Sequence, residues 1–169
     1  KAFCRLNSRF SDVHLVYIGP DEGMLDSLRK TASEYSMLER VHFLGFVSRE
    51  DKSRLIHDSR LLVVPSRQEA MSIVVLESGI AGIPVVITDQ CGFDEVDTVG
   101  GGRVVPATVD GLVRGIEDML GQGAELARMG GALQTLVQER FLWASVAERY
   151  SSLFEQLSPT RTRVSGSSR

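Results

Sequence analysis

Five short apolar runs constrain this chain more than any other feature. Val13–Ile18, Val41–Leu44, Leu61–Pro65, Pro84–Ile87 and Arg103–Val105 are each followed by a stretch with helical spacing or turn residues. The runs lack polar alternation, so each predicts a strand with both faces covered rather than one side in water. The intervals between them, roughly 20–28 residues, suit a crossover helix and a return, which parallel neighbours require. The pattern therefore predicts an α/β fold: a Rossmann-like parallel sheet with helices on both faces.

The helices have their own signals. Met24, Leu25, Leu28, Ala32 and Tyr35 recur at helical spacing within Asp21–Ser36, with acids early and Arg29 and Lys30 later, as the helix dipole favours. Ser48 is positioned to cap a helix running to about Ser59. Another helix begins near Ser72 and stops at Gly82. A short helix or turn is expected near Gly92–Val96, and three more helices over about 109–120, 124–141 and 143–157. Phe3, Leu6 and Phe10 also recur at helical spacing, with nothing before Lys1 to start that helix. Residues 158–169, rich in Ser and Arg, predict a disordered tail after a single domain over 1–157.

In parallel sheets ligands bind beyond the carboxyl ends of the strands. Gly19, Gly45, Ser66 and Thr88 follow strands, so their loops are expected on one edge. One loop there carries the chemistry: Pro65-Ser66-Arg67-Gln68-Glu69-Ala70-Met71-Ser72-Ile73-Val74-Val75-Leu76-Glu77. Glu77 lies among Val74, Val75, Leu76 and Ile80, and a charge in apolar surroundings needs a polar partner. A ligand is the partner this pattern suggests. Unpaired N–H groups expected from about Ala70 to Ile73, with the positive end of the helix dipole, suit phosphate. Small residues Ala70 and Ser72 admit a ligand to the backbone. Carboxylates accept hydrogen bonds from vicinal diols, so Glu69 and Glu77 suit sugars on either side of a diphosphate. The plainer alternative makes Glu69 a cap and Glu77 a half-exposed surface acid.

The ordered stretches Val13–Pro20, Arg40–Val47, Leu61–Glu77 and Gly82–Thr88 resemble the retaining GT-B glycosyltransferases of family 4, group 1. Glu69–Glu77 followed by Cys91-Gly92-Phe93 is particularly similar to the bacterial lipopolysaccharide-core glucosyltransferases. The resemblance implies a nucleotide-sugar donor domain, one half of a GT-B fold, and a role in polysaccharide or lipopolysaccharide synthesis. It places Glu69, the candidate catalytic residue, on hydroxyls of the donor sugar. The backbone of Ala70, Met71 and Ser72 would hold sugar and diphosphate, with Gly19, Ser66 and Arg67 on the same ligand edge. Ile73 would pack beside the nucleotide and Glu77 would bind the ribose hydroxyls. Phe46 and Val47 would flank the base, with Arg49 and Lys52 nearby. The family needs no metal or other cofactor.

The pattern also departs from that family. Its first strand of this domain, followed by an Arg and a Lys that neutralise the leaving diphosphate, has no counterpart here, nor has the N-terminal acceptor domain. The chain is therefore expected to be a donor-binding half that needs the missing domain as partner and is inactive alone. An apolar last helix (Tyr150, Leu153, Phe154, Leu157) without that domain predicts self-association. The donor is expected to be of UDP or GDP type, the acceptor a saccharide or lipid-linked. Two other classes stay open: a nucleotide-sugar epimerase or hydrolase of the same architecture, and a non-catalytic nucleotide-binding module.

Composition excludes some functions. Net charge is −3 over 169 residues and the last twelve carry three arginines, so the body is about −6, which disfavours nucleic acid. No apolar run approaches the ~20 residues of a membrane span, and no signal-peptide pattern opens the chain. A cytoplasmic protein is expected, with any peripheral membrane contact made through the missing domain. Cys4 and Cys91 form no CxxC pair and are expected to be reduced. His14 and His42 are expected to pack within strands and His57 to lie on the surface. Gly100-Gly101-Gly102 reads as a turn, since no Lys-Ser/Thr follows it.

Overall fold

The computed structural model describes residues 1–157; the tail expected to be disordered lies outside the described residues. Among the described residues five strands form, all parallel, in two sheets. β3 (Leu62–Val64), β4 (Val85–Thr88) and β5 (Gly102–Val105) make the larger sheet in that order, with Leu62 beside Val85 and Val85 beside Gly102. β1 (Leu15–Tyr17) and β2 (Val41–Phe43) pair in register Leu15 to Val41. The single continuous sheet expected from five similar runs is thus divided, because no described strand joins β1 or β2 to β3.

β4 is the centre of the molecule. Val85, Val86 and Ile87 are completely buried, and their alternation divides the core in two. Val85 and Ile87 join Val64, Val75, Leu133, Leu136 and Val137 on one face, under α4 (Ile73–Ile80) and α7 (Glu125–Arg140). Val86 joins Leu6, Ile116, Met119 and Met129 on the other, under α1 (Ala2–Arg5) and α6 (Val109–Gly121). Burying each β4 aliphatic side chain contributes about 1.5–3 kcal/mol. A smaller core of Phe3, Cys4, Ala32, Met37 and Val41 holds β1 and β2 against α2 (Leu25–Glu34).

The outer face of β1–β2 corrects the expectation of buried strands. Val16 is 41% exposed, and His14 and His42 are exposed too, stacked with Nδ1 and Nε2 2.9 Å apart rather than packed inside. No described helix covers that face. α2 begins at Leu25, four residues after Asp21, whose carboxylate accepts from the N–H groups of Gly23, Met24 and Leu25 and so caps the helix from outside it. Ser48 caps α3 (Arg49–His57) as its position predicts, accepting from the N–H of Asp51. α5 (Glu95–Thr98) follows β4, and α8 (Trp143–Leu157) ends the described chain.

Candidate functional site

The loop between β3 and α4 is clamped from beneath by the segment leaving β4. Buried Thr88 donates its hydroxyl to the Ser66 carbonyl, and buried Cys91 directs its thiol to the Val64 carbonyl at 3.7 Å. The Glu69 N–H donates to the Gln90 carbonyl at 3.0 Å. Gly92 completes the clamp with φ +58°, and a β-carbon there would meet the Ala70 carbonyl oxygen at 2.3 Å. Only glycine combines that backbone angle with that proximity. The apolar ring of Phe93, fully buried, anchors the segment in the core against Phe141. Cys91-Gly92-Phe93 therefore supports the loop, with Gly92 itself exposed on the same edge.

Above the clamp the loop is open. Arg67, Ala70 and Met71 are exposed, and Ser66 and Glu69 are half-buried. The loop then enters α4, whose first residue is Ile73, and the N–H groups of Ala70, Met71 and Ser72 ahead of it make no hydrogen bond among the described residues. Ser72 is 2% exposed and makes no side-chain cap. The N–H groups of Ile73 and Val74 make no hydrogen bond among the described residues, while that of Val75 bonds to the Ser72 carbonyl at 3.1 Å. An uncapped helix start of this kind leaves N–H donors and the positive end of the helix dipole facing outward, chemistry that suits an anion.

Glu77 is not stranded in apolar surroundings. Its carboxylate Oε1 receives the Lys52 Nζ at 2.5 Å, and about a third of each side chain is exposed. The polar partner that the sequence pattern asks for is thus within the chain. This pair joins α3 to α4, the helices before and after β3. At the β2 exit, Phe46 is 85% exposed and Arg49, the first residue of α3, is exposed as well. Val47 instead lines an open groove with Leu44, Asp51, Arg54, Leu55 and Asp58. Asp51 and Arg54 lie on a different side of α3 from Lys52. Gly19, at the β1 exit, is joined to the β2 exit by its N–H, which donates to the Gly45 carbonyl at 2.9 Å.

The structure accordingly brings the candidates together in two groups. Ser66 to Ile73 share the β3 exit with Thr88–Gly92, and Gly19 shares the β2 exit with Phe46 and Val47. Arg49 and Lys52 sit between them on α3. No group of three or more His, Cys, Asp or Glu able to hold a metal is present among the described residues.

Comparison with known proteins settles the family. The model for "Glycosyl transferases group 1" matches residues 1–134. The chain belongs to that family. Among curated relatives of this group 1 glycosyl transferase chain, the uncharacterized glycosyltransferase MJ1607 of Methanocaldococcus jannaschii is 27% identical over 134 residues, covering 78% of this chain and 34% of the relative. Among solved structures, WaaG, a glycosyltransferase involved in lipopolysaccharide biosynthesis, matches with TM-score 0.75 and 26% identity, covering 90% of this chain and 41% of that one. HepE of Anabaena, solved in complex with UDP, matches with TM-score 0.78 and 21% identity over 92% of this chain and 43% of that one. The chain spans about a third of the length of the curated relatives it matches. The Rossmann-like α/β fold is therefore the GT-B type of glycosyltransferases.

Against that family background, two features of the site were hidden in the sequence. The clamp from Thr88 and Cys91 depends on tertiary hydrogen bonds to carbonyls, which no residue pattern announces. The Lys52–Glu77 contact joins residues 25 positions apart on two helices; Lys52 on the α3 flank toward α4 was its only trace.

Proposed function

We propose that the full-length protein is a retaining glycosyltransferase and that residues 1–157 form the domain that binds its nucleotide-sugar donor. The donor is of UDP or GDP type and the acceptor is a saccharide or lipid-linked. Glu69 contacts the hydroxyls of the transferred sugar and is the candidate catalytic residue. Ala70, Met71 and Ser72 hold sugar and diphosphate through the backbone, with Ser66 and Arg67 bordering them. Ile73 packs beside the nucleoside, Glu77 accepts from the ribose, and Phe46, Val47 and Arg49 flank the base, with Gly19 opposite. One observation carries the reading: a braced, exposed loop delivers Glu69 to an uncapped helix N-terminus, with Glu77 one turn beyond it. Phosphate suits the helix start and hydroxyls suit the two acids.

Titration calorimetry with UDP, GDP and ADP tests it, and UDP comes first because the Anabaena neighbour of this fold was solved with it. Binding of one nucleotide, weakened at least tenfold in Glu77→Ala, is the expected result; loss of one charge-assisted hydrogen bond is worth about that factor. Replacing Glu69 should weaken nucleotide-sugar binding more than nucleoside-diphosphate binding. Equal losses for both ligands would contradict the assigned roles.

A second part of the proposal concerns α8. None of its residues is buried, and Trp143 (88% exposed), rather than packing the closing helix, stands in solvent beside Tyr150, Phe154 and Leu157 on the same helix. We expect this apolar surface to drive self-association unless another part of the protein covers it. Sedimentation showing a strict monomer at high concentration would refute that.

A further inference from the structure

We infer that Lys52 is a positioning residue for the nucleoside: it fixes the Glu77 carboxylate so that the ribose diol meets an oriented, charge-balanced acceptor. The inference rests on the donor-site reading above. Lys52 Nζ engages Oε1 alone, at 2.5 Å, and a carboxylate carries a second oxygen with two further lone pairs. That oxygen can take a diol hydroxyl without breaking the ion pair. The ammonium retains N–H groups beyond the one used on Glu77 and can donate to a ribose oxygen itself.

Charge supplies the second reason. A nucleoside diphosphate is a multiple anion, and a bare carboxylate near it would repel it. Paired with Lys52, Glu77 presents acceptor atoms with no net charge. The third reason is that the pair has little other work to do. Both side chains are about one-third exposed, and ion pairs this open contribute little to stability. Lys52 is also the residue that ties α3 to α4 by charge, so its loss frees the Glu77 rotamer while leaving both helix cores in place.

The test compares each nucleoside diphosphate with its 2′-deoxy analogue on the full-length protein, for wild type, Lys52→Met and Lys52→Arg. The expected result is a wild-type preference of about tenfold for the ribonucleotide. It falls to within about threefold in Lys52→Met and is restored by Lys52→Arg. An unchanged ribo-to-deoxy ratio in Lys52→Met, with both affinities shifted equally or not at all, would overturn the inference. Tighter ribonucleotide binding by Lys52→Met would overturn it as well, by showing that Lys52 blocks Glu77 in the free protein. Wild-type protein that binds no nucleotide would instead defeat the donor-site reading beneath it.

Discussion

Gly130 and Gly131 are neighbours in the middle of α7, and their replacement by alanine should have opposite effects. A β-carbon at Gly131 meets nothing within 4 Å. Alanine there relieves the entropic cost of glycine in a helix and stabilises by about 0.5–1 kcal/mol. A β-carbon at Gly130 would lie 1.8 Å from the Gly82 carbonyl oxygen, in the turn that ends α4, and 3.2 Å from the ring of Pro84. Contacts under 3.0 Å essentially never occur, so α7 must retreat by more than 1 Å. The obstacle is backbone and cannot rotate away. A gap of 0.5–1 Å forfeits a quarter to a half of a contact's attraction. Applied to Leu133, Leu136 and Val137, each contributing about 1.5–3 kcal/mol by burial, the loss is about 1–4 kcal/mol before the small gain in helix propensity. Urea unfolding followed by circular dichroism should show Gly130→Ala destabilised by about 1–3 kcal/mol, a fall of several degrees in Tm for a domain of this size. Gly131→Ala should unfold at higher urea with an unchanged slope. If Gly130→Ala matched or exceeded the wild type, α7 would not be pressed against the end of α4. The placement of Glu77 by that packing would then lose its support.

Other expectations follow from the clamp and the caps. Gly92→Ala forces a β-carbon onto the Ala70 carbonyl at a left-handed angle that costs about 1–2 kcal/mol; thermal melts should show that loss, and nucleotide affinity should fall with it as the Glu69–Gln90 hydrogen bond yields. Unchanged affinity would mean that the loop is not shaped by Gly92. Asp21 is held below the ordinary carboxylate range, chiefly by the Leu25 N–H and further by those of Gly23 and Met24. Its folded value lies below its unfolded one, so the cap acts fully above about pH 4 and is lost as pH falls through the lowered value. Amide protection in α2, taken relative to the intrinsic base-catalysed exchange rate at each pH, should therefore fall on acidification in the wild type, and should be low and less pH-sensitive in Asp21→Ala.

How far the sequence reveals this molecule differs between its two halves. The three-strand core was legible because β4 opens with three consecutive aliphatic residues, Val85, Val86 and Ile87, and is buried along its whole length, which is the condition under which a continuous run is a reliable strand signal. The same inference fails for β1, whose run Val13–Ile18 is equally apolar yet has Val16, Tyr17 and Ile18 more than a third exposed. Composition records what a strand can bury, while topology decides what covers it.

Glu77 shows the limit more sharply. α4 is apolar nearly all round, so its periodicity gives no inward stripe. The packed side is Val75, Ser78 and Gly79, with Gly79 so close to α7 that a β-carbon would meet Val137 at 2.5 Å. Ile73, Glu77 and Ile80 recur at i, i+4 and i+7 on the other side, and Ile73 is 72% exposed, Ile80 42%. Glu77 thus belongs to an outward stripe whose isoleucines are left exposed or partly exposed by the described residues. On the donor-site proposal, isoleucines on the exposed side of the helix with one ion-paired acid between them meet a ligand that has both an apolar and a hydroxylated face. A nucleoside has both. An ordinary surface ion pair would leave those isoleucines without a purpose, and the ribo-to-deoxy ratio in Lys52→Met separates the two explanations.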